Sequence, residues 1–250
     1  MPITFESRRG VVHKVVRLES VVPSMRAPFV PLEAVNRLAT QEALDAFRAA
    51  ALEGAPSRRR RRWSITSSRT RVDGIVITVE YKDDGDRNVK IVERDESGEI
   101  VRRLALDGET LFLIEGGKRY PIGGEESLLH RGLGALRWDL LSKAPASTGA
   151  SHLGGDALIE VDDSGRITRS RMLETVEWPL DEHVTMNVGF DLATHLAARL
   201  VIRDVPSDVV VEVVFDDPFA GDGVTWPRSM SVRGATLKFD ETITELSVAK

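Results

Sequence analysis

The sequence predicts an α+β fold in which one long antiparallel sheet, curved or partly closed, packs against a few helices on one face. Two observations lead to this fold class. Between residues 71 and 121, apolar runs alternate with turn residues at short, even spacing, which is typical of an antiparallel meander. Helical periodicity is confined to residues 31–52 and 125–142. Counting the runs on both sides of the second helix, we expect about 11 or 12 strands.

The composition is that of an ordinary globular chain and excludes several kinds of chemistry. Of 250 residues, 42% are hydrophobic, and 34 basic against 39 acidic side chains give a formal net charge of −5. This balance argues against a dedicated nucleic-acid-binding protein, which is usually basic. The chain has no cysteine, so disulfides, thiolate metal sites and thiol catalysis are excluded. No apolar run is long enough for a membrane-spanning helix, and charges interrupt every apolar run near the N-terminus, unlike in a signal peptide.

The first helix is predicted to follow a segment of ambiguous periodicity, residues 1–30, in which a strand is favoured over a helix. From Pro31 to Leu52, apolar residues recur at helical spacing, and proline suits a first helical turn. Thr40 is a possible cap, so a break in the helix near residues 39–40 stays open. We treat residues 1–30 as an N-terminal segment and residues 31–250 as one domain.

Five consecutive arginines precede Trp63; they are Arg58, Arg59, Arg60, Arg61 and Arg62. The simplest interpretation is a solvated start of a strand, whose charges keep a sheet edge from pairing with other chains. A second interpretation is contact with anionic lipid head groups or another acidic partner, since clustered arginine attracts phosphate. Nucleic acid is the third, although the aromatic residues of a base-stacking surface are missing apart from Trp63.

The predicted meander opens with Arg71–Lys82, which places Ile75, Ile77, Val79 and Tyr81 on one face of a strand. The runs that follow are separated by Asp-Gly and Asp-x-Ser-Gly sequences. Such residues supply the positive backbone angles of tight hairpins. The acidic residues in these turns are therefore explained by turn chemistry, and the other acidic clusters do not match a calcium-binding loop.

A leucine-rich helix is predicted over Glu125–Ser142. Its apolar stripe consists of Leu128, Leu129, Leu133, Leu136, Leu140 and Leu141. Gly132 and Gly134 weaken the helix by about 1 kcal/mol each relative to alanine; they either allow close backbone packing or mark a helix that moves. Residues 143–155 are rich in small residues and are predicted to form a long, mobile loop.

Four short motifs occur in a characteristic order: VDG at residues 72–74, LDGETL at 106–111, FDLATHL at 190–196 and GVTWP at 223–227. This order, with a helix before the first motif and a leucine-rich helix between the second and third, resembles the LolA/LolB-type superfamily of bacterial lipoprotein carriers and sorting proteins. The resemblance implies an incomplete β-barrel whose helices cover its open, concave side. The five-arginine run and residues 1–30 are not part of the pattern.

The resemblance further implies a binding protein and not an enzyme, with a lipid, an acyl chain or a lipoprotein held in a cavity between sheet and helices. It implies a periplasmic or cell-envelope location and a role in transport; without a signal peptide in the sequence, a cytoplasmic location also stays open. An alternative within the same fold is a sensor or interaction domain that binds a protein partner, for example along an edge strand.

No residue role transfers from the resemblance, so the candidate cavity residues come from the strand and helix patterns. They are Ile75, Ile77, Val79, Tyr81, Leu133, Leu136, Leu140, Phe190 and Trp226. The alternative for all of them is ordinary core, because strand faces and helix stripes normally pack against each other. No cofactor, metal or nucleic acid is predicted, since the five histidines are scattered and no catalytic motif is present.

Overall fold

The computed structural model describes residues 32–52, 62–83, 88–137, 149–162 and 164–249. Within these ranges there are two helices and thirteen strands. In chain order they are α1 (Leu32–Ala51), β1 (Arg62–Arg71), β2 (Val76–Asp83), β3 (Asn88–Arg94), β4 (Ile100–Asp107), β5 (Thr110–Glu115), β6 (Lys118–Ile122), α2 (Gly124–Ala135), β7 (Ser151–Val161), β8 (Ile167–Pro179), β9 (Val184–Asp191), β10 (Ala197–Asp204), β11 (Val209–Gly221), β12 (Val224–Arg233) and β13 (Lys238–Ala249). No helix in the described ranges has the length and apolar character needed to cross a membrane.

The strands form one antiparallel sheet in the order β6-β5-β4-β3-β2-β1-β13-β12-β11-β10-β9-β8-β7. Within β1–β6 and within β7–β13, strands that are consecutive in sequence pair with each other, and the pairing of β1 with β13 joins the two halves. Because β6 and β7 remain unpaired edges within the described sheet, it does not close into a barrel. The predicted α+β fold with a curved, incomplete barrel is confirmed.

The prediction of 11 or 12 strands is too low because it omits β1. The sequence of this strand, RWSITSSRTR, has little apolar character, yet every second residue from Trp63 to Arg69 is buried. The predicted strand over Arg71–Lys82 is also wrong at its start. Arg71 ends β1, residues 72–75 form the turn, and β2 begins at Val76.

The Asp-x-Ser-Gly sequence between β3 and β4 makes a tight turn, as predicted. The Asp95 carboxylate accepts hydrogen bonds from the backbone N–H groups of Ser97 and Glu99 and from the Ser97 hydroxyl. Gly98 adopts a φ of 84°, which favours glycine. The hydrogen bonds, that of the Ser97 hydroxyl above all, lower the pKa of Asp95, and the residue is thereby explained as a turn former.

Helix α1 is continuous from Leu32 to Ala51, with no break near residues 39–40. Phe47 packs against Phe190 of β9 with ring centroids 4.8 Å apart, and Leu52, directly after the helix, pairs with Val224 at the start of β12. Helix α1 therefore fixes the ends of two strands from the second half of the sheet.

Helix α2 lies against β10 and β11 in the second half of the sheet and against β5 in the first. It runs from Gly124 to Ala135 and continues into a π-helical turn at residues 136–137; the rest of the predicted helix, residues 138–142, lies outside the described residues. The predicted loop over residues 143–155 is wrong at its end, because β7 already begins at Ser151. Small residues are compatible with this edge strand: Gly154 has a φ of 97° and lies at an irregularity in the pairing with β8.

Candidate functional site

The candidate site is the interior between α2 and the sheet. Leu129, Leu133 and Leu136 of α2 are each at most 2% exposed and belong to a continuous apolar core with both halves of the sheet. The helix lies very close to β10, because a Cβ atom at Gly132 would be 2.6 Å from the side chain of Ile202. Of the two roles considered for this glycine, close packing is the one observed.

Polar contacts hold α2 in place, and they are made by Glu125, Glu126 and Arg131 in its N-terminal part. The Glu126 carboxylate pairs with Arg102 of β4 through two hydrogen bonds of 2.6 and 2.7 Å. Arg131 pairs with Asp181 in the turn between β8 and β9. The Glu125 carboxylate accepts hydrogen bonds from the backbone N–H groups of residues 235–237, in the turn before β13. These connections tie the helix to both halves of the sheet.

Seven of the nine predicted cavity residues belong to the common apolar core: Ile77, Val79, Tyr81, Leu133, Leu136, Phe190 and Trp226. Ile75 does not lie there: it precedes β2 in the turn and is 50% exposed. Leu140 falls outside the described residues. The placement fits a cavity wall and ordinary core equally well, and ligand binding by these residues therefore stays a prediction.

A buried polar network, absent from the sequence prediction, crosses the same interior. Arg69 donates hydrogen bonds from Nε to Glu241 (2.8 Å), from Nη1 to Glu93 (2.8 Å) and from Nη2 to the Tyr81 hydroxyl (2.7 Å). Glu241 also accepts hydrogen bonds from Ser67 (2.7 Å) and Tyr81 (3.0 Å). We call these five residues the Arg69 network; it links β1, β2, β3 and β13.

The charges of this network stabilise one another. Burial on its own would lower the pKa of Arg69, but Tyr81, Glu241 and Glu93 outweigh it and raise the pKa. Burial, with Glu241 nearby, raises the pKa of the Tyr81 phenol, which stays neutral. The guanidinium also stacks on Phe239, 4.1 Å from the ring centroid. Arg69 is therefore a fully paired structural cation.

His130 of α2 and Arg137 of its π-helical turn are also buried, but each has a side-chain nitrogen atom that lacks a hydrogen-bond partner among the described residues. Arg137 is 5% exposed and His130 is 2% exposed. The Nε of Arg137 and the Nε2 of His130 have no hydrogen-bond partner among the described residues. Burial, and then the charges of Arg69, Arg137 and Arg102, lower the pKa of His130 well below its usual value, so this histidine is neutral.

A small cavity lies beside Arg137, between the end of α2 and strands β11–β13. Its volume of about 20 Å³ is enough for about one water molecule. Its apolar wall includes Leu133, Phe215, Trp226 and Met230. The indole of Trp226 also packs edge to face against Trp63, with centroids 5.2 Å apart. In the described conformation this cavity has no room for a larger ligand, so binding at this point requires α2 to move.

The remaining predicted contact residues lie at the start of β1. Arg62 is its first residue and is exposed, while Arg58, Arg59, Arg60 and Arg61 lie outside the described residues. Among the residues that the structure describes, no group of three or more histidine and acidic side chains is placed to hold a metal ion.

Comparison with solved structures identifies the architecture. A LolA superfamily protein from Nitrosomonas europaea has a TM-score of 0.53 and 11% sequence identity, with 84% of this chain and 94% of that chain covered. A domain described as an outer membrane lipoprotein-sorting protein, from Vibrio parahaemolyticus, has a TM-score of 0.50 and 10% identity, with 86% and 94% covered. The chain has the LolA-type fold. No family model and no curated protein matches the sequence.

Within the LolA-type fold, the motifs that carried the resemblance occupy turns and strand starts. Residues 190–196 close β9 and turn toward β10, with the Asp191 carboxylate accepting a hydrogen bond from the N–H of Ala193 and His195 at a φ of 58°. Residues 223–227 open β12. The resemblance is confirmed for the fold, and the motifs contribute geometry more than site chemistry.

Proposed function

We propose that the protein binds a hydrophobic ligand, a lipid, an acyl chain or a lipoprotein, between α2 and the sheet, and that it acts as a carrier or sorting protein without catalysis. The observation that carries the proposal is the position of α2: an apolar helix covers a continuous apolar sheet face and is held by polar contacts at its first two turns. The LolA-type fold supports the proposal, as does the similarity to the lipoprotein-sorting domain from Vibrio parahaemolyticus. We infer a cell-envelope location on the same basis.

Binding in this site requires that α2 be displaced, because the cavity beneath it has only about 20 Å³. A ligand gains about 0.8 kcal/mol for each methylene it buries. A long acyl chain can therefore offset the loss of the leucine contacts that α2 makes with the sheet. We propose that the displaced helix exposes the predicted residues Ile77, Val79, Tyr81, Leu133, Leu136, Phe190 and Trp226 to the ligand.

A reversible cross-link of α2 tests this proposal. Because the chain has no cysteine, the pair Arg131→Cys and Asp181→Cys can be joined specifically by a short, reducible bis-maleimide. We expect the cross-linked protein to lose uptake of a fluorescent fatty acid, measured by fluorescence and by native mass spectrometry, and to regain it after reduction. Each single-cysteine variant treated with the same reagent is the matched control. Uptake that is unchanged by the cross-link would contradict the role of α2 as a cover.

A second candidate function is an interaction domain that binds a protein partner. It is favoured by exposed apolar side chains of the described surface, including Val72 (79% exposed), Val101 (55%) and Tyr120 (46%). Tyr120 lies on the edge strand β6, where a partner strand can add to the sheet. A native mass spectrum that shows only ligand-free protein after incubation with fatty acids would favour this function over ligand transport.

The arginine run, residues 58–62, is proposed to contact anionic head groups when the protein meets a membrane. Arg62 is exposed, and clustered arginines attract phosphate. Flotation with phosphatidylglycerol-containing vesicles, compared with phosphatidylcholine vesicles, measures this contact; equal recovery in both would contradict it.

A further inference from the structure

We infer that the ligand is an anionic amphiphile whose carboxylate or phosphate group binds Arg137 while its hydrocarbon chain lies along the apolar wall of the cavity. This inference rests on the proposed function and specifies the class of ligand. The inference starts from a contrast within a single cavity, where apolar side chains surround a buried guanidinium whose Nε has no acceptor among the described residues.

Arg137 is the unusual member of this site. An arginine carries five N–H donors and stays charged in proteins, and a buried charge is normally paired with acceptors that offset its loss of hydration. Arg137 is 5% exposed, and the structure shows no ion pair for it within the described part of the chain. Its guanidinium carbon lies 6.0 Å from the centroid of the Tyr81 ring, which is too far for close stacking.

The other polar groups that line the cavity do not take this role. Glu241 is the acidic one, but its oxygen atoms already accept hydrogen bonds from Arg69, Ser67 and Tyr81. Ser229 is neutral, and Arg228 is exposed at the rim, where its guanidinium lies 4.9 Å from the centroid of the Phe219 ring. Long-range attraction to Asp83, Tyr81 and Glu241 opposes the effect of burial on the pKa of Arg137, which is nevertheless lowered.

The apolar wall and the guanidinium of Arg137 lie side by side, as the hydrocarbon chain and the charged head group of an amphiphile do. Leu133, Phe215, Trp226 and Met230 form the apolar wall next to Arg137. A planar guanidinium binds carboxylate or phosphate oxygen atoms through two parallel hydrogen bonds. The cavity has room for a single water molecule, which would accept only part of the hydrogen bonds that the guanidinium can donate. The head group of the ligand would displace this water when α2 moves away from the sheet.

The test compares ligands that share one chain and differ in the head group: palmitate, palmitoyl lysophosphatidate and the neutral alcohol hexadecanol. Each displaces a neutral fluorescent probe from the full-length protein. We expect the wild-type protein to bind at least one of the two anions at least about tenfold more tightly than the alcohol, which corresponds to about 1.4 kcal/mol. In Arg137→Gln, we expect that preference to disappear while hexadecanol binds as before. The two anions distinguish a carboxylate from a phosphate head group.

The control variant is Arg228→Gln, which removes a cation from the rim; we expect it to retain the preference. If the wild-type protein binds neither anion more tightly than the alcohol, or if the preference is unchanged in Arg137→Gln, the inference is overturned and the proposed function stays intact. If none of the three ligands displaces the probe, both the inference and the proposed function fail. Retained binding of hexadecanol by Arg137→Gln shows that the variant is folded, and Arg137→Lys provides a second variant, which we expect to keep part of the preference.

Discussion

Arg69 and Arg137 are equally buried, at 5% exposure each, but their surroundings differ. Arg69 donates hydrogen bonds to Glu93, Glu241 and Tyr81, whereas the Nε of Arg137 has no partner among the described residues. Burial alone therefore does not distinguish a cation that stabilises the fold, such as Arg69, from a cation that is a candidate for ligand binding, such as Arg137. The pairing of the donors does, because an unpaired buried charge lowers stability and is kept only where something else requires it.

The backbone explains why Arg69 has hydrogen-bond partners, whereas the Nε of Arg137 has none among the described residues. Arg69 lies in β1, at the middle of the sheet, where strands β2, β3 and β13 present their side chains in fixed register. Arg137 lies in the π-helical turn at the end of α2, beyond the polar contacts that hold the first two turns of the helix. A sheet interior fixes its partners, whereas a helix end can change its position relative to the sheet.

The largest expected difference between the two arginines is in stability. Arg69→Met leaves Glu93 and Glu241 buried without their cation, and the loss in free energy of unfolding should be about 3–5 kcal/mol. Arg137→Met, the matched control, removes an unpaired charge and should change it by less than about 1 kcal/mol, or increase it. Urea denaturation measures both. Comparable losses in the two variants would show that Arg137 is paired in solution.

The next effect concerns pH, because His130 lies near both arginines. Its pKa is lowered by burial and by Arg69, Arg137 and Arg102, so the folded protein holds it neutral while the unfolded chain protonates near pH 6.5. The unfolded state then binds more protons, and stability is lost as the pH falls below about 6.5. We expect the wild-type protein to lose about 1.4 kcal/mol per pH unit more than His130→Leu between about pH 6 and 5.

Urea denaturation of both proteins across that range gives the difference directly and cancels the contribution of other groups. Adding Arg137→Met should make the loss smaller, because one of the cations that oppose protonation is gone. An identical pH dependence in the wild-type protein and His130→Leu would mean that His130 is hydrated or paired in solution.

The sequence predicted the fold and much of the apolar interior, but not the chemistry of the buried charges. Ile77, Val79 and Tyr81 were found because alternation places them on one face, and that signal is local. Strand β1 was missed because Ser67 and Arg69 occupy inward positions that usually carry apolar residues. The acidic partners of Arg69 lie 24 and 172 residues away in the chain, so only the strand register reveals them.

Arg137 offered a weak signal that the sequence interpretation did not use. It follows Leu133 by four residues and therefore falls on the leucine stripe of the predicted helix. A cation within an apolar stripe indicates either the end of a helix or a buried charge. Whether its donors have acceptors depends on the packing of α2 against β11–β13, which a periodic pattern does not contain.

The smallest expected change in stability concerns the N-terminal end of α2, which Glu125 links to the turn before β13. Glu125→Gln keeps one acceptor oxygen but removes the negative charge of the carboxylate, which accepts hydrogen bonds from the backbone N–H groups of residues 235–237. We expect the free energy of unfolding to fall by about 1 kcal/mol. Hydrogen exchange should become faster in the peptide that contains these amides and stay unchanged in β1. Because the Arg69 network and Arg137 are untouched, the head-group preference assigned to Arg137 should persist. If Glu125→Gln lost that preference, the contacts at the N-terminal end of α2 would also position the Arg137 guanidinium. The two ends of the helix would then not behave independently, contrary to our expectation.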